Sequence, residues 1–227
     1  MFELMVMPLR ALWEEDDENK VIEEVRQLQA LLSEAFDKEV TWNEEMPDGE
    51  ELEIYGLDPH CVYSLRAAAA WLEFTDKLEG FDPGEEPWNH EVFERLEEAG
   101  EAKRFPQLLH SENADAVAFV PVELDNVIGV DDEEPPSFAV GSLPALRREL
   151  DELRIALGLE SGLEDKLEDL VFDDDVDPIA SARYGWVVLS RRCNDALAKD
   201  LPLVMVVEDE EDEEHEHDES CDHEDRD

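Results

Sequence analysis

The stretch Phe105–Leu124, FPQLLHSENADAVAFVPVEL, and its continuation from Phe138, FAVGSLPALRREL, carry the most specific pattern in the chain. A short apolar approach ends in His110-Ser111-Glu112, a polar loop follows, and Val117–Leu124 reads as a strand from its β-branched and aromatic content. Ser142 then stands where a helix N-cap belongs, before a helix predicted from Leu143 to Gly158. Pro144 is tolerated in its first turn, and Gly158 supplies the stop. Leu146, Leu150, Leu153 and Leu157 give that helix one buried stripe.

Working outward, Val21, Ile22, Val25, Leu28, Leu31, Leu32 and Phe36 recur at three and four, which predicts an amphipathic helix from about Glu18 to Phe36. Phe2–Leu12 reads either as a strand up to Pro8 or as a helix beginning after it. Glu39–Trp42 is a short extended candidate, and Asn43–Pro59, with its Pro47-Asp48-Gly49 turn, is a surface connection. His60–Leu78 is a helix in which Ala67–Ala70 permit close approach by a neighbour. Gly80, Pro83, Gly84 and Pro87 then break the chain before a helix over Trp88–Glu98, with Asn89 as N-cap and Gly100 as stop. Gly129–Pro136 is a polar loop, Leu163–Phe172 a short helix, Ile179–Lys199 a longer one, and Leu203–Val207 a last strand. The expected fold class is α+β: one mainly helical domain over residues 1–207, with a small sheet from the Val117 and Leu203 segments, joined by the N-terminal one if it is a strand. Residues 208–227 form a separate acidic, His-containing tail expected to be disordered.

Charge is the extreme property. The 227 residues hold 65 Asp and Glu against 18 Lys and Arg, a formal −47. The tail from Glu208 contributes −13, so the body still carries −34. Binding to nucleic-acid phosphates is disfavoured because no stretch collects the Lys and Arg that would displace counterions. An anionic membrane surface is disfavoured by the same repulsion. The longest apolar run, Ala67–Leu72, is far short of the ~20 residues of a membrane span, and Met1–Glu15 lacks a signal-peptide pattern, so a cytoplasmic protein is expected. Cys61, Cys193 and Cys221 are odd in number and widely spaced, which argues against a disulfide framework.

Candidate sites are few. His110, Ser111 and Glu112 offer a base, a hydroxyl and a carboxylate, but catalytic triads assemble from distant segments, and the plainer reading is a capped turn. His60, His90 and Cys193 are further groups that would have to converge there. In the tail, His215, His217, Cys221 and His223 have the chemistry of zinc, nickel or copper ligands, without the spacing of a structural zinc site. Asp173, Asp175 and Asp177 begin like a calcium loop, but Pro178 stands at the turn-glycine position and Tyr184 at the bidentate-Glu position. Phosphate-binding glycine motifs, a nucleophile elbow and HExxH are absent, and no cofactor is expected.

The segments HSENADAVAFVPVEL and GSLPALRREL, with YSLRAAAAWLE at Tyr63–Glu73, resemble a group of uncharacterised bacterial proteins. In that group a His-Ser-Asp segment leads to an aromatic pair, Val-Pro and a Gly-Ser-Ser helix start. Here Glu112 replaces the Asp, and Ala118-Phe119 replace two tyrosines. The resemblance implies a bacterial cytosolic protein with one compact domain, and no chemistry.

Three functions are compatible with this reading. The preferred one is a non-enzymatic interaction or immunity-like protein that binds a basic protein partner such as a toxin domain, since a carboxylate surface accelerates association with a cation. The alternatives are a small hydrolase or transferase with its site near His110, Ser111 and Glu112, and a protein whose acidity reflects a saline habitat.

Overall fold

A computed structural model describes residues 1–12, 18–47, 49, 52–100, 102–110, 114–130, 137–164 and 177–207. Its frame is a six-stranded sheet of β1 (Phe2–Val6), β2 (Ile54–Leu57), β3 (Ala116–Val120), β4 (Ile128–Gly129), β5 (Phe138–Ser142) and β6 (Leu203–Val207). The strand order is β2-β1-β6-β3-β5-β4. Only β3 and β5 run parallel; the other neighbours are antiparallel. The helices are α1 (Glu18–Ala35), α2 (Pro59–Phe74), α3 (Glu91–Ala99), α4 (Pro106–His110), α5 (Leu143–Ala156) and α6 (Ala180–Lys199). The α+β class and single domain are as expected.

Both faces of the sheet are covered, which is why AVAFV and LVMVV read as unbroken apolar runs rather than alternating ones. Leu4, Val117, Phe119, Leu203 and Met205 face a layer that includes Leu65, Leu108, Leu146, Leu150 and Trp186. Met5, Ala118, Val120, Val140 and Val204 face the other way, onto Val25, Leu28 and Leu32 of α1 and onto Val40 and Trp42. The period-two side-chain alternation of a strand thus feeds two separate cores.

The two quoted segments meet at one point. Phe119 pairs in register with Gly141, and the Gln107 side-chain carbonyl accepts the Ser142 N–H at 2.7 Å. A Cβ at Gly141 would lie 2.8 Å from both Gln107 Oε1 and the Phe119 ring, so glycine is needed for the close approach. Ser142 caps α5 as predicted, its hydroxyl accepting from Ala145 N at 3.1 Å. Phe2–Leu12 realises both of its readings: β1, then a 3-10 turn over Leu9–Leu12.

Some elements differ from expectation. Glu39–Trp42 is not a strand: Val40 and Trp42 are buried, and Val40 N donates to the Ser33 hydroxyl instead of a ladder. The connection before Pro59 contains the edge strand β2, and Ile128–Gly129 forms β4 at the start of the expected polar loop. α3 is capped by His90 rather than Asn89, its Nδ1 accepting from Val92 N at 3.1 Å, because Pro87–Asn89 is taken up by a 3-10 turn. The segment 165–176 and the tail 208–227 lie outside the described residues.

α2 and α6 pack closely against each other. Ala67–Ala70 are fully buried, and at Gly185 of α6 an added Cβ would meet the Cys61 carbonyl oxygen at 2.6 Å. Backbone cannot yield as a flexible side chain does. Gly185→Ala is therefore expected to cost about 2 kcal/mol by forcing the helices apart, read as a lower urea midpoint with an unchanged slope.

Candidate functional site

His110 ends α4, while its side chain, Ser111 and Glu112 lie outside the described residues. The part of this region that is described is a carboxylate clamp. Glu149, on α5 and 6 % exposed, accepts Gln107 N at 2.8 Å and Leu108 N at 2.9 Å. Glu73, on α2, accepts Lys103 N, Arg104 N and Phe105 N. The two acids satisfy the backbone donors that begin α4 and tie it to two longer helices. Burial pushes the Glu149 carboxyl up to about 8 against the opposing pull of its two backbone N–H donors.

The other sequence candidates are engaged elsewhere. His60 Nε2 lies 3.4 Å from Gly84 O. The His90 ring packs between Trp71 and Phe81, at 6.2 and 5.5 Å. Cys193 is buried beside Leu143 O, and burial pushes its thiol up to about 12. Asp177 pairs with Arg183 and accepts Ile179 N at 3.2 Å; Asp173 and Asp175 are outside the described residues. So are His215, His217, Cys221 and His223. Among the described residues no cluster of His, Cys, Asp and Glu could hold a metal, and no helix is long and apolar enough to cross a membrane.

The feature that stands out is how the few cations are distributed. Lys20 pairs with Glu24, Arg26 with Glu23, Arg104 with Glu152, Arg147 with Asp151 and Glu164, Arg148 with Glu123, and Arg192 with Glu53 and Asp195. The segment Glu79–Glu98 receives none of these. It holds Glu79, Asp82, Glu85, Glu86, Glu91, Glu94, Glu97 and Glu98, all exposed, and none forms an ion pair among the described residues. The segment's one cation, Arg95, stacks on Phe74 at 4.4 Å.

This ridge is held firmly. Val92 and Phe93 bury one face of α3, and Phe81 packs on Trp71 at 5.7 Å. Glu91, Glu94 and Glu98 recur at three and four and so share the outward face. Local stability accounts for Glu91 and Glu94, which lie in the first turn where the helix dipole favours a carboxylate, but not for the acids at the other end. Glu97 and Glu98 sit in the last turn with no basic residue beside them, where the helix dipole disfavours a carboxylate by ~0.3–1 kcal/mol each. Like charges at three and four add a cost of the same sign.

The sequence reading passed over the ridge as a break and a helix. Eight acids and one base in twenty residues were visible there, but which carboxylates stay unpaired depends on arginines far away in sequence. Glu149 and Arg66 were also missed, although each falls on an apolar stripe: Glu149 between Leu146 and Leu153, Arg66 between Val62 and Ala70. Arg66 is 1 % exposed and lies over the Phe2 and Tyr63 rings at 5.6 and 5.7 Å.

Fold and surface together define a folded polyanion, an α+β scaffold on which α3 and the loop before it carry eight exposed carboxylates that form no ion pair among the described residues. A family model described as "Putative DNA-mimic protein" matches residues 1–205, and the chain belongs to that family. No curated protein and no solved structure matches it. The family match rests on nearly the whole chain rather than on the His110–Glu112 pattern.

Membership corrects the expectation about partners. That expectation named a basic protein such as a toxin domain and set nucleic acid aside as a ligand. A family described by mimicry of DNA points to DNA-binding proteins as the kind of basic partner, and leaves the expectation of no nucleic-acid binding uncontradicted. The physical reason is that a carboxylate surface repels a phosphate backbone yet carries charge of the same sign.

Glu149 provides a pH test of the clamp. Its folded pKa is raised above the unfolded carboxylate value, so the folded state holds the proton more tightly. The stability it contributes is complete below the ordinary carboxylate range and is lost as pH rises toward about 8. Denaturant unfolding at pH 5 and pH 8 should show a drop in the native chain that is smaller in Glu149→Gln, with both measured at high salt to suppress general charge repulsion.

Proposed function

We propose that this protein is a non-enzymatic decoy that occupies the phosphate-binding face of a DNA-binding protein, with Glu79–Glu98 as its principal contact surface. The observation that carries the reading is the set of exposed carboxylates left without cation partners among the described residues. A spacing argument supports it. From Glu91 to Glu98 α3 rises about 10.5 Å, and its four carboxylates average one per ~3.5 Å, against ~3.4 Å per phosphate along one strand of the duplex. Asp82, Glu85 and Glu86 lie on the chain that leads into this helix and extend the charge beyond it.

The family description favours this reading over a hydrolase or transferase near His110, Ser111 and Glu112. A saline habitat alone gives no reason for eight exposed acids to gather on one segment of twenty residues with a single arginine. Unlike DNA, the decoy needs no bending and carries its charges on a packed scaffold, so a partner meets them already in place.

The test uses bacterial proteins retained on a double-stranded DNA column at low salt. The protein should release a subset of them at concentrations where polyglutamate of equal total charge does not. Glu94→Gln, Glu97→Gln and Glu98→Gln combined should weaken release about tenfold or more and also raise the unfolding free energy by about 1 kcal/mol. Release equal to that by polyglutamate, or unaffected by the triple variant, contradicts the proposal.

A further inference from the structure

The sheet has one open edge, and it adjoins the ridge. β2 is the last strand on its side, with no strand beyond it among the described residues. The ladder shows which of its groups face outward. Val207 N donates to Asp115 O and Met7 N to Pro202 O, so β6 bonds β3 through its odd-numbered residues and β1 through its even-numbered ones. By the same alternation β1 turns Phe2 and Leu4 toward β2, which answers with Leu57 and Tyr55. The N–H and C=O groups of Ile54 and Gly56 are left on the outer edge.

Natural edges are commonly blunted by Lys, Pro, a bulge or a very short strand. The opposite edge is short, since β4 has two residues. β2 has none of these devices. Its sequence is IYGL, Ile54 is 56 % exposed and the preceding Leu52 45 %. The strand is also continuous with the ridge. Leu57 lies opposite Phe2, the Phe2 ring packs on Tyr63 at 5.7 Å, and Tyr63 packs on Trp88 at 6.2 Å. Trp88 is 44 % exposed in the middle of the Glu79–Glu98 segment, and His60, three residues beyond Leu57, reaches Gly84 O.

We infer that the outer edge of β2 accepts an extended, Lys- or Arg-bearing segment of the same basic partner that lies along the ridge, adding it as a further strand. The inference rests on the ridge reading for the identity of that partner. Main-chain bonds from Ile54 and Gly56 would hold the segment, and alternate apolar side chains on it would cover Ile54 and Leu52. A second copy of this chain is the poorer occupant because each copy brings a formal −47 to the contact. Arg192 already holds the Glu53 carboxylate, so the attraction for a cation comes from the ridge and the overall field.

The experiment follows backbone amide exchange by NMR on the full chain. It uses two short synthetic peptides of equal charge, one alternating Lys with Val and the other Lys with Pro. The Lys-Val peptide should slow exchange at Ile54 and Gly56 roughly tenfold, and the Lys-Pro peptide, whose prolines favour the polyproline conformation over a paired strand, should slow it far less. Ile54→Pro removes an outward N–H and should abolish the protection, as should Ile54→Lys, which places a positive charge against the cationic segment, if the proline variant folds poorly. Equal effects of the two peptides, binding without protection of β2, or no binding at low salt each overturn the edge site and leave the ridge to the DNA-column test. Protection that appears without peptide and grows with protein concentration also overturns it, by giving the edge to a second copy.

Discussion

A chain with 65 carboxylates and 18 basic residues folds against its own repulsion, so the placement of each cation constrains everything else. Most of the arginines are spent where they hold the scaffold together. Arg104 ties the approach to α4 to α2 through Leu72 O and to Glu152 of α5. Arg183 bridges Leu157 O and Asp177, and Arg192 connects α6 to Glu53 and the Tyr55 ring. With the cations so committed, the acids from Glu79 to Glu98 are left to solvent and to whatever cation arrives from outside. Their like-charge spacing on α3 costs local stability, which a bound cationic partner would recover.

Carboxylates bonded to backbone donors have a different task from those left to water. Glu149 and Glu73 close the start of α4 by accepting backbone N–H groups, and they hold it beside Ser142 and the parallel pair β3–β5. Acid therefore appears both as structure and as display. The difference lies in whether backbone donors or water surround it.

Local pattern made the long elements legible. α1, α5, α6, β3 and β6 follow from periodicity, from the Ser142 cap and from β-branched content, because those signals lie within one segment. β5 and β2 did not, since FAVGS and IYGL are short, contain glycine and become strands only by pairing with β3 and β1. Glu39–Trp42 misled in the opposite sense, because its apolar residues are buried without a ladder. The candidate surface was half legible. Its acidity is plain in the sequence, but its lack of partners depends on contacts as distant as Arg192 with Glu53, 139 residues apart. Family membership was beyond composition, which reports a charge and not a pattern along the chain.

The most direct measurement of the central claim is carboxylate footprinting by carbodiimide labelling, on the free chain and on the chain bound to a protein it displaces from DNA. Protection on binding should concentrate at Glu79, Asp82, Glu85, Glu86, Glu91, Glu94, Glu97 and Glu98. Protection confined to Glu208–Asp227, or spread evenly over all exposed acids with the ridge still labelled, would contradict it.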